Sequence, residues 1–569
     1  MSAPAPAVSA TTPGPRRRTR LLLEWLRDYD RAAIPADVVA GLTAAAVVLP
    51  KAMAYATVAG LPVQVGLYTA FVPPLVYAAL GRSRVLSVTT TTTIAILAGS
   101  TLAEAVPGAD PAHLAVAVAT LSVLVGAVLV AAAALRLGFV ATFISEPVLA
   151  GFKAGIGAVI VVDQVPKLLG VHIHKAGFFR DVLGLVRATP EASIATAVVA
   201  AGAIAAILLL KRFLPRLPAA LLAVVLGIAA SALLGLPALG VKTVGAIPSG
   251  LPPLVLPDLG LLEVLWPGAV AIALMSFTES IAAGRAFASP DEGRPAPNLE
   301  LVATGAANAV GGLWGAMPAG GGTSQTLVAE RAGAKSPLAG LVVGVAALAT
   351  LLLLAPVLSR LPEAVLAAIV VIYSADLLGL HDFKAIYRVR RTEFAWAVVA
   401  FAGVLLLGTL RGIVVAVITS LVSLAYQASN PEVYEVVRKP GTNVFRRRSD
   451  EHPEDESYPG LLMLRVEGRV FFANTQHVAD LVAPLLEAAA VRVVVLDCSV
   501  IFDLEYSALK MLGEAEERMR RHGRALWLCA LNPRARQVVL RSPLGERLGR
   551  ERMHFDLEHA VDAFRARER

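Results

Sequence analysis

Thr89-Thr90-Thr91-Thr92-Thr93 interrupts an apolar stretch that would otherwise run as a helix from Leu86 to Ser100. About 230 residues later, Gly320-Gly321-Gly322-Thr323-Ser324-Gln325-Thr326 interrupts a second one. Crossing the hydrocarbon core takes about 20 predominantly apolar residues. Neither stretch therefore reads as a simple spanning helix, and discontinuous helices are expected at both. The correspondence extends outward from these breaks. The first apolar span opens at Asp37 and the eighth opens near Pro267, at nearly the same offset. Seven spans separate the members of each pair, and an odd number inverts the second copy relative to the first. Inverted repeats interrupted at matching positions point to a secondary transporter whose substrate sits where the two breaks meet.

Composition supports an embedded chain: hydrophobic residues fill 56% of 569 positions and charged residues only 17%, against roughly a quarter charged in soluble domains. Hydropathy places spans near 37–56, 66–80, 86–100, 113–135, 139–166, 192–210 and 218–235, then 260–283, 299–314, 323–334, 337–355, 363–379, 393–408 and 411–427. The expected fold is a polytopic α-helical membrane protein of about 14 spans in a 7+7 inverted repeat, followed by a C-terminal α/β domain. Residues 1–30 read as a disordered basic tail carrying Arg16, Arg17, Arg18 and Arg20, with no apolar core and cleavage site of a signal peptide. Residues 31–427 read as the membrane domain, 428–459 as a linker and 460–569 as the soluble domain.

Basic residues set the expected orientation. Arg82 and Arg84, Arg136, Lys211, Arg212 and Arg216, Arg285 and Arg294, and Lys384, Arg388, Arg390 and Arg391 fall in loops on one side, which the positive-inside rule assigns to the cytoplasm. Lys167 to Arg187 reads as a longer loop on the other side. With an even number of spans, both termini are expected in the cytoplasm and the protein in the cytoplasmic membrane.

Beyond Tyr426 the pattern changes. Leu461 to Val466, Arg469 to Phe472, Val491 to Asp497 and Ala525 to Ala530 read as strands, and Thr475 to Ala489 and Glu505 to Arg521 as helices. Cys498 and Cys529, the two cysteines, lack metal-ligand spacing and read as buried free thiols. No catalytic constellation, cofactor motif, metal site or nucleic-acid-binding pattern is visible, so the chain does not read as an enzyme.

One stretch is specific enough to carry a resemblance: Asp37-Val38-Val39-Ala40-Gly41-Leu42 through Pro50-Lys51-Ala52-Met53-Ala54-Tyr55-Ala56, then Ala59-Gly60-Leu61-Pro62 and Gly66-Leu67-Tyr68. Phe277-Thr278-Glu279-Ser280-Ile281-Ala282, Asn308 to Gly312, Met317-Pro318 and Ala332 to Gly340 add to it. From about Asp37 to Phe564 the chain resembles the sulfate permease (SulP) family of anion transporters with a C-terminal STAS domain. The resemblance implies core and gate subdomains, a small anion as substrate and a homodimer. It departs at Thr89 to Thr93, where many relatives carry Gly-Pro, and at Ser324-Gln325-Thr326, where many carry Ser-Arg-Thr. In the STAS loop Asp497-Cys498-Ser499 and Asp503 keep the family outline, but Leu504 and Glu505 stand where bacterial anti-sigma-factor antagonists carry a phosphorylated serine.

The candidate substrate-binding residues are Thr90, Thr91, Gly322, Thr323, Ser324, Gln325 and Thr326. Hydroxyls, an amide and backbone N–H groups at two helix N-termini suit a small oxyanion. Not all five threonines can face one site, because a helix turns about 100° per residue, and some are expected to bond a carbonyl one turn back. Gly320 to Gly322 read either as a flexible turn or as a close backbone approach to a ligand. No lysine or arginine occurs between Val85 and Lys153 except Arg136, or between Arg294 and Arg331, so the site is expected to lack a fixed cation at either break. Glu279, an ionisable group inside an apolar span, is the candidate for coupling to a proton or sodium ion. Glu146 and Lys153 read as a structural pair or as helix-end anchors, His172 and His174 as solvated, and Arg446 to Arg448 as a solvated linker or a headgroup contact. Two other readings stay open: a nucleobase carrier of the same fold, and a membrane-anchored STAS signalling protein.

Overall fold

The computed structural model describes residues 24–27, 29–142, 145–173, 177–215, 217–288, 296–487 and 490–568. Most of the tail expected over 1–30, including Arg16 to Arg20, lies outside the described residues, as do His174, Arg216 and Arg294. The chain divides into two compact units, Met1–Ser420 and Leu421–Arg569.

In the first unit the helices fall into two sets of seven. The first holds α1 (Ile34–Val58), α2 (Val63–Leu80), α3 (Thr92–Ala105), α4 (Pro111–Ala134) and α5 (Glu146–Leu169); after α6 (Phe178–Ala188) it closes with α7 (Ile194–Phe213) and α8 (Ala219–Leu234). The second holds α9 (Leu262–Ala286), α10 (Pro297–Leu313), α11 (Thr323–Arg331), α12 (Leu338–Ala349) continued by α13 (Ala355–Leu358), and α14 (Glu363–Ala375). After α15 (Leu380–Val389) it closes with α16 (Arg391–Leu407) and α17 (Thr409–Ser429), whose residues beyond Ser420 belong to the second unit. The third helix of each set is short and is preceded by a two-residue strand, β1 (Val88–Thr89) or β2 (Gly320–Gly321). Among the described residues nine helices are long and apolar enough to cross a membrane.

Local chemistry sets several boundaries. The span expected from 139 begins as an α-helix only at Glu146, after a 3-10 helix at Leu137–Thr142; Pro147 occupies its first turn, a position that needs no N–H. The span expected over 337–355 continues to Leu358 through a π-helical turn at Thr350–Leu354. Pro356 follows that turn and cannot donate to a regular ladder. Two helices lie where loops were expected. On α6, Phe179, Leu183 and Val186 form an exposed apolar stripe one turn apart, the pattern of a helix lying along a membrane interface. The basic loop at Lys384 to Arg391 is α15 and the start of α16.

The two sets interleave. α4 packs on α10, α1 and α2 on α12, and α3 on α9, while α5 packs on α14 and α16 and α7 on α14. This makes a core of first-to-fourth helices from both repeats and a gate of fifth-to-seventh helices. α4 and α10 approach through small residues: a Cβ on Gly312 would lie 2.8 Å from the Ala119 carbonyl oxygen, the close backbone approach that stabilises helix pairs in lipid.

The second unit is built on one sheet of order β4-β3-β5-β6-β7-β8, from β3 (Val433–Arg438), β4 (Phe445–Arg447), β5 (Leu461–Val466), β6 (Val493–Asp497), β7 (Ala525–Cys529) and β8 (Met553–His554). β5 to β8 run parallel, and β3 is antiparallel to both its neighbours. Successive residues of β5 point to opposite faces. Leu462 and Leu464 enter a core with α18 (Thr475–Glu487), α19 (Tyr506–Arg521), α20 (Pro533–Leu540) and α21 (Pro543–Leu548). Leu461 and Met463 enter another with α22 (Leu557–Glu568). Both faces are covered, as a parallel sheet requires. Arg469 to Phe472, expected as a strand, makes a single bridge between Val470 and Leu504.

Residues 428–459, read as a linker, contribute β3 and β4 to this sheet. The three consecutive arginines are paired: Arg446 binds Asp455 at 2.7 Å, Arg447 Glu432 at 2.9 Å and Arg448 Glu435 at 3.0 Å. A fragment 428–568 is therefore expected to fold cooperatively. One beginning at Gly460 loses β3, with buried Val436 and Val437, and leaves β5 as an open edge. Burial of two valines contributes about 3–5 kcal/mol, so the shorter fragment should melt far lower or aggregate; equal melting curves by circular dichroism would show that β3 lies outside the cooperative unit.

Candidate functional site

The two breaks pair with each other. β1 and β2 form an antiparallel ladder with Val88 opposite Gly321 and Thr89 opposite Gly320, and Gly322 N–H donates to the Ser87 carbonyl at 3.1 Å. β-branched threonine favours this extended backbone, and the ladder satisfies peptide groups that lipid would leave unbonded. The glycines serve packing against α9. A Cβ on Gly320 would lie 3.1 Å from Ser276 Cα, and one on Gly321 2.7 Å from Ser280 Cα. Three side chains clamp the approach. Ser276 donates to the Ala319 carbonyl at 2.7 Å, Ser280 Oγ accepts from Gly321 N–H at 2.8 Å, and Asn308 Oδ1 accepts from Ala319 N–H at 2.8 Å.

The ladder brings the N-termini of α3 and α11 together. They end differently. Thr91 caps α3, its Oγ1 accepting from Ile94 N–H at 3.3 Å and donating to Glu279 Oε2 at 2.7 Å. Gly322 stands at the cap of α11 and has no side chain to offer, so the first amides of that helix keep their donors. Of the expected site residues, Gln325 and Thr326 are spent on the frame. Gln325 Oε1 accepts from the Thr89 hydroxyl at 2.5 Å, and its Nε2 donates to the Thr90 carbonyl at 3.2 Å. The Thr326 hydroxyl donates to the Gly322 carbonyl at 2.8 Å and accepts from Ser87 N–H at 3.2 Å. Thr323 and Ser324, in the first turn of α11, are exposed. The Thr90 hydroxyl is fully buried and has no hydrogen-bond partner among the described residues, a costly arrangement that a ligand or water would relieve.

Fixed cations stand at both breaks, contrary to the expectation from sequence. Lys51 of α1, only 2% exposed, donates through Nζ to Ser324 Oγ at 3.2 Å. Its ammonium also lies 3.9 Å from the centroid of the Tyr373 ring. Lys153 lies 3.9 Å from Glu279 Oε1; it pairs with that carboxylate across helices, and Glu146 sits apart in the first turn of α5. Both lysines were missed because they lie far from the breaks in sequence. The available signal was the one that singled out Glu279, an ionisable group within an apolar span.

A cavity of about 1190 Å³ opens farther along α3, lined by Ser100, Asp163, Gln164, Lys167 and Thr409 among others; the residues of the two breaks do not line it. His172 accepts from Lys242 Nζ at 2.8 Å, and the described residues hold no cluster of three or more metal-ligating side chains. In the second unit Asp497 is held by Arg465 at 2.7 Å and Leu504 is buried. Cys498 and Cys529 are buried free thiols, and burial pushes both up in pKa, which keeps them protonated and unreactive.

Residues 34–400 match the model of the sulfate permease family and residues 452–558 that of the STAS domain. A probable sulfate transporter of Mycobacterium tuberculosis is 32% identical over 545 residues, covering 95% of this chain and 97% of its own length. Sulfate transporter 3.1 of Arabidopsis thaliana is 29% identical over 576 residues, covering 95% of this chain and 86% of its own. In fold the chain is similar to the murine solute carrier 26 family member A9 anion transporter, with a TM-score of 0.87 at 22% identity, over 99% of this chain and 100% of that one. The transmembrane domain of a cyanobacterial bicarbonate transporter matches with a TM-score of 0.58 at 24% identity, over 69% of this chain and 98% of that one. The paired breaks, the interleaved repeats and these matches agree: the chain belongs to the sulfate permease family, as a multi-pass membrane protein for anion transport with a C-terminal STAS domain.

Proposed function

We propose that the protein is a secondary active transporter of small anions of the sulfate, bicarbonate or dicarboxylate class, binding its substrate where α3 and α11 begin. The observation that carries this reading is the β1–β2 ladder, which points two helix N-termini at one place. Each is equivalent to about half a positive charge. Exposed Thr323 and Ser324, the uncapped amides of α11 and the orphan Thr90 hydroxyl supply donors there. Names of relatives favour sulfate within the class. A neutral nucleobase has no need of the two lysines beside the breaks, which weighs against that alternative. Glu279 is the proposed coupling group for a proton or sodium ion, the protein a homodimer of the cytoplasmic membrane with both termini inside, and the STAS domain a regulator.

Uptake of sulfate, bicarbonate, succinate, chloride and uracil by proteoliposomes, with and without pH and sodium gradients, tests the reading. Ser324→Ala should weaken sulfate binding about tenfold or more, because a hydrogen bond to a charged group contributes about 1.5–3 kcal/mol. Gln325→Arg should instead disturb the frame, since arginine has no acceptor for the Thr89 hydroxyl. Unchanged sulfate affinity in Ser324→Ala, or uptake of uracil alone, would move the site or the substrate elsewhere.

A further inference from the structure

Lys51 is a buried ammonium without a countercharge. Taking such a group out of water costs several kcal/mol unless an opposite charge compensates. Its partners are a neutral hydroxyl, Ser324 Oγ, and a neutral ring, Tyr373. Among the described residues no carboxylate lies within ion-pair distance of it. Lys211, whose Nζ is 4.3 Å from the same ring centroid, has Asp376 at 3.9 Å. The buried carboxylate at the breaks, Glu279, is matched by Lys153. With that pair cancelling, Lys51 and two helix N-termini leave about two positive charges around one point.

The geometry points to Lys51 as the fixed cation of the anion site, the residue that makes it prefer doubly charged to singly charged oxyanions. This rests on the site proposed between α3 and α11. Ser324 positions the ammonium: its oxygen accepts from Lys51, which leaves its own O–H free to donate to the anion. The Tyr373 ring, attractive to a cation but carrying no formal charge, holds the ammonium in place without satisfying it.

The test uses the full chain in proteoliposomes and in detergent, with sulfate as the divalent probe and nitrate as the monovalent one. Lys51→Gln should raise the sulfate KM at least about tenfold more than the nitrate KM, because removing one fixed charge a few ångströms away weakens a dianion about twice as much as a monoanion. Lys51→Arg should restore the wild-type ratio, and Lys211→Gln should leave it unchanged. Lys51→Met guards against misfolding. Replacing an uncompensated buried charge by an apolar side chain of similar length should raise the melting temperature without anion and remove the stabilisation by sulfate expected of the wild type. Equal loss of both anions in Lys51→Gln, or a lower melting temperature in Lys51→Met, would overturn the assignment and make Lys51 a structural residue. If sulfate and nitrate both fail to bind the wild type, or Ser324→Ala leaves both affinities intact, the site itself is misplaced and this assignment falls with it.

Discussion

Glu279→Gln is expected to abolish anion accumulation driven by a proton or sodium gradient while counterflow exchange of the same anion persists. The Thr91 hydroxyl donates to Glu279 Oε2 at 2.7 Å, and a glutamine oxygen accepts that bond equally well, so the N-cap of α3 survives. What disappears is the charge facing Lys153 at 3.9 Å and with it the group that a proton or sodium ion can neutralise. A second consequence separates this from simple damage. Lys153 loses its counterion, so the variant should bind sulfate as tightly as the wild type or tighter, and release it more slowly. Accumulation should fall at least about tenfold, corresponding to about 1.4 kcal/mol or more of lost coupling. Proteoliposomes carrying Glu279→Gln that concentrate sulfate as well as the wild type under either gradient would remove Glu279 from the coupling role.

Asp37→Ala should be the most damaging substitution to the fold of the membrane unit. Asp37 is fully buried in the first turn of α1. One carboxylate oxygen accepts from Lys335 N–H at 2.6 Å and Ser336 N–H at 3.1 Å, the other from the Ser336 hydroxyl at 2.6 Å and the Tyr29 hydroxyl at 2.8 Å. The carboxylate thus ties the start of the first repeat to the turn after α11 in the second. Alanine leaves two amides and a buried hydroxyl without acceptors, at about 1–3 kcal/mol each, against a total stability of about 5–15 kcal/mol. Asp37→Asn keeps one accepting oxygen and should lose much less. Thermal unfolding followed by size-exclusion chromatography reads the difference, and an Asp37→Ala protein that melts with the wild type would show that this tie is dispensable.

What the sequence made legible follows from the range of the forces involved. Spans of continuous apolar residues and their two interruptions are local properties, and α1 to α5, α9 to α11 and the breaks at Thr91 and Ser324 could be read directly. α6 and α15 could not, because a helix at an interface alternates charge and apolarity and so has the composition of a loop. The same holds for β3 and β4, whose acidic and basic neighbours look like a solvated run until Asp455, Glu432 and Glu435 are seen to pair with the three arginines. In the proposed site, the hydroxyl-rich breaks announced themselves, yet Gln325 and Thr326 hold the frame. Lys51 and Lys153 reach it from helices whose sequence neighbours say nothing about where they point. Proximity created by folding is what a linear reading lacks.

The β1–β2 ladder separates what holds the proposed site from what would read a solute there. Its bonds run between peptide groups, and its close fit to α9 depends on two residues with no side chain. Substitution therefore meets two very different surfaces here. The side chains of Thr90, Thr323 and Ser324 contribute no bond to the ladder, so at the proposed site the solute contacts can change while the ladder stays. A single methyl group gained at Gly320 or Gly321 has no such latitude, because it would meet the backbone of Ser276 or Ser280 on α9.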